Sequence, residues 1–277
     1  MKTVTLPSDK RVPALGMGTW HLGDTRATRT EEIATLRLGL DLGLTLIDTA
    51  EMYGEGRSEE LVAEAIEGRR DEVFLVSKVS PQNASRKGAV AACERSLARL
   101  RTECIDLYLL HWRGNVPLEE TIEAFVALQQ AGKIRHYGIS NLDLVDMQEL
   151  WSVPGGPAVA SNQLLYNLAR RGIEWDLLPW LRERRIPIMA YSPIEQAKLT
   201  LNPKLVDFAR RNAMTPAQAG LAWLLAHDDV IVIPKTALRD RLKENIAALD
   251  QHLTQTQLAE LDRLFPPPTG PRPLEML

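Results

Sequence analysis

The chain has 277 residues, of which 45% are hydrophobic and 25% are charged, and its formal net charge at pH 7 is −3. Basic and acidic residues are interspersed, so the charge pattern gives no electrostatic case for binding nucleic acid or an anionic membrane. The N-terminal segment lacks the apolar core of a signal peptide, and no apolar stretch is long enough to span a bilayer. Two cysteines without CxxC spacing are typical of a reducing cytoplasm. We therefore expect a cytoplasmic protein, with a monomer as the default because no surface stripe marks an interface.

Strand-like and helix-like patterns alternate along the chain. A short hairpin is expected over residues 3–16, with residues 8–10 as its turn, and a first strand over residues 16–19. The later strands are short and apolar throughout, as expected where both faces of a parallel sheet are buried. They are predicted at residues 45–50, 73–79, 105–112, 134–140, 158–164, 186–192 and 230–235, each followed by a helical segment.

Capping residues place several of the helix ends. The first helical segment is predicted to start at Thr30 as its N-cap and to end just before Gly43. Thr215 stands before a proline that suits the first helical position of a later segment. Thr254 and Gln257 have the spacing of a capping box, which predicts an extra C-terminal helix. The proline-rich tail after it is expected on the surface or over the mouth of the fold.

These units predict an α/β fold, a (β/α)8 TIM barrel with a short N-terminal β-hairpin and an extra C-terminal helix. We see no linker, repeat or low-complexity stretch, so residues 1–277 are expected to form a single domain. The competing architecture is a doubly wound parallel sheet. That fold usually has a GxGxxG turn after its first strand, whereas Gly16, Gly18 and Gly23 have the wrong spacing.

Four chemically active residues fall at or just beyond predicted strand ends: Asp48, Tyr53, Lys78 and His111. In a barrel of parallel strands the C-terminal ends converge, and chemistry is done there. An ammonium at Lys78 would stabilise the phenolate of Tyr53 and lower its pKa. Asp48 would keep the buried lysine charged, and His111 would hydrogen-bond a substrate carbonyl.

Taken singly, each of these residues has an ordinary structural explanation. Asp48 could cap a helix or form an ion pair in a loop, and Tyr53 could be a packed aromatic ring. Lys78 could be a solvated loop residue, and His111 could be a histidine of the core. Because they lie on three consecutive strand ends, a shared function is the better interpretation.

At these residues the chain resembles the aldo-keto reductases, and the resemblance runs nearly end to end. Matching segments include GMGTW, LIDTAEMYG, VSK, DLYLLHW, IRHYGISN, SNQLLYN, MAYSP and IPKTALRDRLKEN, in the same order and spacing. Within the family the chain looks most similar to short bacterial enzymes of the methylglyoxal reductase type. The resemblance implies NADPH-dependent reduction of small aldehydes and dicarbonyls on a TIM barrel without a metal. Tyr53 would be the general acid, Lys78 and Asp48 its partners, and His111 the residue that orients the substrate.

The resemblance also implies contacts to the cofactor. Ser140, Asn141 and Gln163 would hydrogen-bond the nicotinamide carboxamide, and Tyr191 would stack on the nicotinamide ring. Ser192 would approach a phosphate. The Ser140–Asn141 pair has an alternative explanation, because it also suits the cap of the helix that follows.

The loop after the first strand and the last strand–helix junction would complete the cofactor site. Thr19 and Trp20 would approach the cofactor near the mouth, and Trp20 with Trp112 would form walls of the substrate pocket. Lys235, Thr236 and Arg241 would hold the 2′-phosphate, because a guanidinium and a helix N-terminus both favour a bound anion. Glu244 and Asn245 would face the adenine. The alternative explanation is that these basic residues at the start of the helix are simply solvated and bind no anion. The preference for NADPH over NADH rests on these residues alone.

Two features depart from the larger family members. Only about ten residues separate Pro193 from the next helix, and the C-terminal tail is short. The resemblance then implies an open site that suits short carbonyl substrates.

Two other functions compete with the reductase. A non-catalytic NADPH-binding regulatory protein would keep the same cofactor residues but would have no need for Tyr53 and Lys78 together. A metal-dependent hydrolase using His111 and Asp48 is disfavoured, because the five histidines are scattered without an HxH or HExxH pair.

Overall fold

The computed structural model describes residues 2–277. The chain begins with an antiparallel hairpin of β1 (Thr3–Thr5) and β2 (Arg11–Pro13), in which Val4 pairs with Val12. Residues 6–10 form the connecting turn, closed by a hydrogen bond from the Leu6 amide to the Lys10 carbonyl. The predicted hairpin and the position of its turn are therefore confirmed.

Eight parallel strands follow, and each pairs with its neighbour in chain order. The sheet closes on itself, because the first and last of these strands also meet. The Gly16 amide donates to the Val232 carbonyl at 2.9 Å, and the Gly18 amide donates to the Pro234 carbonyl at 3.0 Å. The predicted TIM barrel is confirmed, and a doubly wound sheet is excluded. The strands are β3 (Met17–Gly18), β4 (Leu46–Asp48), β5 (Phe74–Val79), β6 (Ile105–Leu110), β7 (Ile134–Ser140), β8 (Asn162–Leu165), β9 (Ile188–Tyr191) and β10 (Val230–Val232).

Helices connect the strands and surround the barrel. None of them, within residues 2–277, is both long and apolar enough to cross a membrane. An extra helix follows the last barrel unit, as predicted. The helices are α1 (Arg29–Asp41), α2 (Arg57–Ala65), α3 (Arg86–Leu100), α4 (Leu118–Gln130), α5 (Leu144–Ser152), α6 (Leu177–Glu183), α7 (Pro203–Arg211), α8 (Pro216–Leu225), α9 (Arg239–Ala247) and α10 (Gln255–Leu264).

Three of the four predicted helix boundaries are confirmed. Thr215 and Thr254 form complete capping boxes at the starts of α8 and α10. Gly43 lies just past α1 with a φ of 91°, a conformation that glycine adopts without strain. The prediction for Thr30 is wrong, because α1 already begins at Arg29. Its N-cap is Thr28, whose hydroxyl bonds to Thr25 instead of a helical amide.

The core fills the barrel and the layer between the strands and the helices. Every residue of β5 and β6 is buried, which explains why these segments are mostly apolar and do not alternate; their polar members Ser77, Lys78 and Asp106 are buried as well. Cys93 is fully buried in α3, and burial raises the pKa of its thiol to about 12. The C-terminal ends of the strands carry the polar side chains described next.

Candidate active site

A cavity of about 870 Å³ opens at the C-terminal ends of the barrel strands. Its size lies within the range typical of sites for small molecules and cofactors. Every site residue predicted from the sequence lines this cavity except Lys78, which lies directly beneath it. The predicted residues in its wall are Thr19, Trp20, Asp48, Tyr53, His111, Trp112, Ser140, Asn141, Gln163, Tyr191, Ser192, Lys235, Thr236, Arg241, Glu244 and Asn245.

Lys78 is completely buried near the end of β5, and its ammonium group has three protein partners. It donates to Asp48 Oδ2 at 2.8 Å, to the Thr49 carbonyl at 2.9 Å and to the Tyr53 hydroxyl at 3.3 Å. Burial opposes the charged form, but Asp48 and Tyr53 outweigh that effect, so the pKa of Lys78 lies above its usual value. Lys78 is therefore an ammonium ion at neutral pH.

Asp48 ends β4 and is held from both sides. Its second carboxylate oxygen, Oδ1, accepts a hydrogen bond from Gln163 Nε2 at 2.8 Å. Its backbone carbonyl accepts bonds from the amide and the hydroxyl of Thr19. A buried carboxylate needs such partners to stay charged. The arrangement fixes Asp48 so that it faces Lys78.

Tyr53 begins a short turn, residues 53–56, that leads into α2. Gly56 in this turn has a φ of 92°, a conformation that is strained for any residue with a side chain. The turn brings the phenol back over the strand ends. Burial raises the pKa of Tyr53; the Lys78 ammonium lowers it, and the Asp48 carboxylate raises it.

The net pKa of Tyr53 lies above its usual value, which corrects the expectation of a lowered one. The effect of Lys78 has the expected sign, but burial of the phenol is larger. At neutral pH Tyr53 is therefore a protonated phenol beside a permanent positive charge.

His111 follows β6, and its ring meets the Tyr53 ring edge-on with 5.6 Å between centroids. Burial first, and the nearby Lys78 charge second, lower the pKa of His111 to about 2. Its Nδ1 atom is buried without a hydrogen-bond partner in residues 2–277. A buried acceptor without a partner is less costly than a buried donor. We therefore assign a neutral imidazole with its proton on Nε2.

The polar residues at the ends of β7, β8 and β9 bond to one another. Ser140 Oγ donates to the Gln163 carbonyl, and Asn141 Nδ2 donates to Ser140 Oγ and to the His111 carbonyl. Tyr191 donates its hydroxyl proton to Asn141 Oδ1 at 3.0 Å. Asn141 has a left-handed backbone with a φ of 57°, which asparagine tolerates better than most residues. The group forms a preassembled polar wall on one side of the cavity.

The start of α9 forms another part of the wall and carries exposed cations. Within residues 2–277, neither Lys235 nor Arg241 has a carboxylate within ion-pair distance, although most other arginines of the chain have one. Thr236 accepts a hydrogen bond from the Leu238 amide through its hydroxyl. The first amides of α9 have no partner inside the helix. This junction therefore combines free positive charge with free N–H donors.

Some lining residues were not predicted from the sequence. Met52 precedes Tyr53, and His21 follows Trp20, so proximity in the chain could have indicated them. Apolar residues of the C-terminal tail also reach the cavity, in agreement with a tail over the barrel mouth. Further residues come from the loop after β9. The unpredicted residues are Gly18, His21, Met52, Pro193, Ile194, Gln196, Ala197, Thr200, Pro216, Ala217, Ile233, Pro234, Met276 and Leu277.

The comparisons with known proteins agree with this geometry. The model of the aldo/keto reductase family matches residues 14–265. The chain is 48% identical to methylglyoxal reductase YeaE of Escherichia coli (strain K12), over 100% of this chain and 99% of that protein. It is 30% identical to methylglyoxal reductase DkgB of Salmonella typhimurium, over 87% of this chain and 89% of that protein.

Comparison with a solved structure indicates the same family. A crystal structure of an aldo/keto reductase from Klebsiella pneumoniae in complex with NADP and acetate matches with a TM-score of 0.97 and 49% identity. The match covers 100% of this chain and 99% of that one. The fold, the residues at the barrel mouth and these similarities lead to one conclusion: the chain belongs to the aldo/keto reductase family.

Proposed function

We propose that this protein reduces small aldehydes and dicarbonyls of the methylglyoxal type to alcohols with NADPH. One observation carries the proposal. The Tyr53 hydroxyl borders the cavity and lies 3.3 Å from the ammonium of a completely buried lysine. A phenol beside a fixed positive charge can give a proton to a carbonyl oxygen and keep the negative charge that results.

Tyr53 is the proton donor in this proposal. Its raised pKa keeps the phenol protonated until a carbonyl oxygen becomes basic enough to take the proton. Lys78 then stabilises the phenolate, and Asp48 keeps Lys78 charged. The cluster is already assembled before any substrate binds, so little reorganisation is needed during the reaction.

His111 orients the substrate. With a pKa of about 2 it is neutral at every physiological pH, so it is a hydrogen-bond donor and not a competing acid. Its Nε2 proton would bond to the substrate carbonyl oxygen, which also accepts the proton from Tyr53. Two donors on one oxygen fix the carbonyl and increase its polarity.

The cavity wall fits NADPH by the chemistry of its donors. Lys235, Thr236 and Arg241 offer free cations, a hydroxyl and helix amides to the 2′-phosphate, and this donor set favours NADPH over NADH. When it is bound, NADPH supplies the hydride. Residues from the polar wall and from the two ends of the cavity would contact the rest of the cofactor, namely Thr19, Trp20, Ser140, Asn141, Gln163, Tyr191, Ser192, Glu244 and Asn245.

The substrate would occupy the apolar part of the cavity. Trp20, Met52, Trp112 and Met276 line it, and Trp20 and Met52 are 42% and 45% exposed. Large apolar side chains around an open mouth favour short, uncharged carbonyl compounds. A monomeric state, no binding to nucleic acid, a single domain and a cytoplasmic location stay predictions from the sequence.

The test is NADPH oxidation, followed by absorbance, with methylglyoxal as substrate and wild type beside Tyr53→Phe. Turnover in the wild type alone supports both the reductase and its acid. NADPH binding is measured separately by quenching of the tryptophan fluorescence, since Trp20 and Trp112 line the cavity. Binding without turnover of methylglyoxal or an aromatic aldehyde would favour the regulatory NADPH-binding protein instead.

A further inference from the structure

A second polar network lies just behind the cavity wall: none of its four members lines the cavity, but chain neighbours of two of them, Glu195 and Glu275, do. It consists of Asn167, Arg170, Glu195 and Glu275, and we call it the rim network. Arg170 is its centre: Nε and Nη2 donate to Glu195 Oε1 at 3.0 and 2.8 Å, and Nη1 donates to Glu275 Oε1 at 2.5 Å. The network joins the loop after β8, the loop after β9 and the C-terminal tail.

Glu195 is the buried member of the network, with 6% of its surface exposed. Its other oxygen, Oε2, accepts a hydrogen bond at 2.9 Å from Nδ2 of Asn167, which is completely buried. Burial raises the pKa of Glu195, but Arg170 and Asn167 outweigh that effect and hold it below its usual value. Removing one partner of such a buried charge is strongly destabilising, so the loop is firmly tied to Arg170.

The loop after β9 needs such a tie because its backbone is strained. Four of its residues other than glycine have a positive φ: Ser192 (47°), Glu195 (51°), Gln196 (52°) and Ala197 (69°). Strained conformations persist only where the surroundings hold them. Asn167 Nδ2 holds the Ser192 carbonyl at 3.0 Å, and the carboxylate of Glu195 is held by Arg170.

Both segments joined by Arg170 form walls of the same cavity. The loop after β9 contributes Ser192, Ile194 and Gln196, and the tail contributes Met276 and Leu277. Glu275 directly precedes the two tail residues in the wall. We therefore expect loss of the Arg170–Glu275 pair to shift Met276 and Leu277 in the cavity wall.

We propose that Arg170 is a positioning residue that couples the two walls, by holding Glu195 of the cofactor-side loop and Glu275 of the substrate-side tail at once. It does not contact the reacting atoms. The assignment of each wall to a ligand rests on the proposed function, whereas the mechanical coupling between the two segments does not.

The first test compares Glu275→Gln with Glu260→Gln. The control makes the same change in another ion pair near the C-terminus, between Glu260 and Arg211, and Glu260 does not line the cavity. In Glu275→Gln we expect the KM for methylglyoxal to rise about threefold with kcat unchanged, as for a partly exposed ion pair. Hydrogen exchange of residues 192–201 in the cofactor-free protein should become faster in that variant only. If KM and exchange in Glu275→Gln match the control, the coupling is refuted.

The second test changes Arg170 itself. Arg170→Met should weaken NADPH binding by about fivefold or more, because it leaves Glu195 buried without its cation. Arg170→Lys should restore only part of the affinity, since an ammonium is a point charge and does not match two carboxylates as a guanidinium does. A folded Arg170→Met protein with wild-type NADPH affinity would overturn the proposal. Should that variant not fold, Glu195→Gln replaces it in the same titration.

Failure of the proposed function can be distinguished from failure of the coupling by the turnover of the wild type. If the wild type binds NADPH but turns over no carbonyl compound, the reductase proposal is wrong. The exchange and titration measurements still decide whether Arg170 couples the two walls.

Discussion

Each end of the barrel contains an ion pair with a buried carboxylate, and a comparison of the two pairs distinguishes a structural role from the chemical role proposed above. At the N-terminal end, Asp106 accepts bonds from Arg70 at 2.7 Å and from the Leu75 amide at 3.0 Å, and Arg135 lies 3.1 Å from its other oxygen. Arg70 itself also bonds to a threonine hydroxyl and to two backbone carbonyls. All these partners belong to the frame of the protein.

At the C-terminal end, the Lys78–Asp48 pair is more deeply buried, with side-chain exposures of 0% and 3% against 24% and 9% for Arg70 and Asp106. One of its partners is also different. The third acceptor of Lys78 is the Tyr53 hydroxyl, which borders the cavity. Beside it, His111 has a buried nitrogen with no partner in the described residues. One charge pair therefore has only structural partners, whereas the other has a partner that faces the cavity and that supports proton transfer in the proposed function.

The sharpest test of this comparison is Lys78→Met beside Arg70→Met. We expect Lys78→Met to lower kcat by about 10²–10⁴-fold, because the phenolate of Tyr53 would lose its counter-charge. Affinity for NADPH should stay close to that of the wild type. Arg70→Met should lower stability but leave kcat of the folded protein unchanged. Steady-state kinetics and denaturant unfolding of both variants give the answer, and a large loss of kcat in Arg70→Met would break the comparison.

The carboxylate partners provide the next test. Asp48→Asn should lower the free energy of unfolding by about 3–5 kcal/mol, because it leaves the buried Lys78 ammonium without its carboxylate partner. Asp106→Asn should lower it by less, because Arg70 is partly exposed and keeps three other acceptors. Only Asp48→Asn should also lower kcat. The measurement is urea unfolding together with turnover at saturating substrate. A stable and fully active Asp48→Asn protein would show that Lys78 does not depend on Asp48.

Arg241→Ala tests the cofactor-phosphate part of the mouth and should have a smaller effect. NADPH affinity should fall about tenfold or more, the loss expected for a hydrogen bond to a charged group, while NADH affinity should stay unchanged. Arg239→Ala is the matched control, because Arg239 lies in the same helical turn, pairs with Glu31 and does not line the cavity. Equal NADPH affinities for the two variants would remove Arg241 from the site.

The last effect is spread over several pH units and concerns the pH dependence of stability. The pKa of His111 is lowered from 6.5 to about 2, so above pH 6.5 the ring is neutral in both the folded and the unfolded chain. Below that pH only the unfolded chain takes up the proton, and the free energy of unfolding falls by up to about 1.4 kcal/mol per pH unit. Unfolding of wild type and His111→Gln between about pH 7 and 4.5 should show a steeper fall in the wild type. Equal slopes would mean that His111 is charged in the folded protein.

Much of the barrel and of its catalytic end could be predicted from the sequence because the signals are local. Apolar runs ended by Asp48, Lys78 and His111 predict both the strands and the place where their ends meet. Capping by Thr215 and Thr254 is equally local, since the partner lies three residues away. The N-cap of α1 was predicted wrongly at Thr30 because several threonines lie close together in this part of the sequence. The N-cap is Thr28, and this depends on the path of the preceding loop.

The remaining features depend on distances in space that the sequence does not show. The raised pKa of Tyr53 results from how deeply the phenol is buried, which no motif indicates. The rim network joins Arg170 to residues 25 and 105 positions away. Although Asn167 stands in the matching segment SNQLLYN, its role follows only from the contact with Glu195.

The closure of the barrel has a consequence for how the protein is made. The edge of β3 is completed only by β10, through the bonds from Gly16 to Val232 and from Gly18 to Pro234. Translation produces these partners more than two hundred residues apart, so β3 keeps one open edge until the last strand has left the ribosome. An open strand edge is a template for pairing with another chain. The backbone contacts that frame the cavity beside Gly18 therefore also remove an aggregation hazard, and a chain truncated before β10 would keep it.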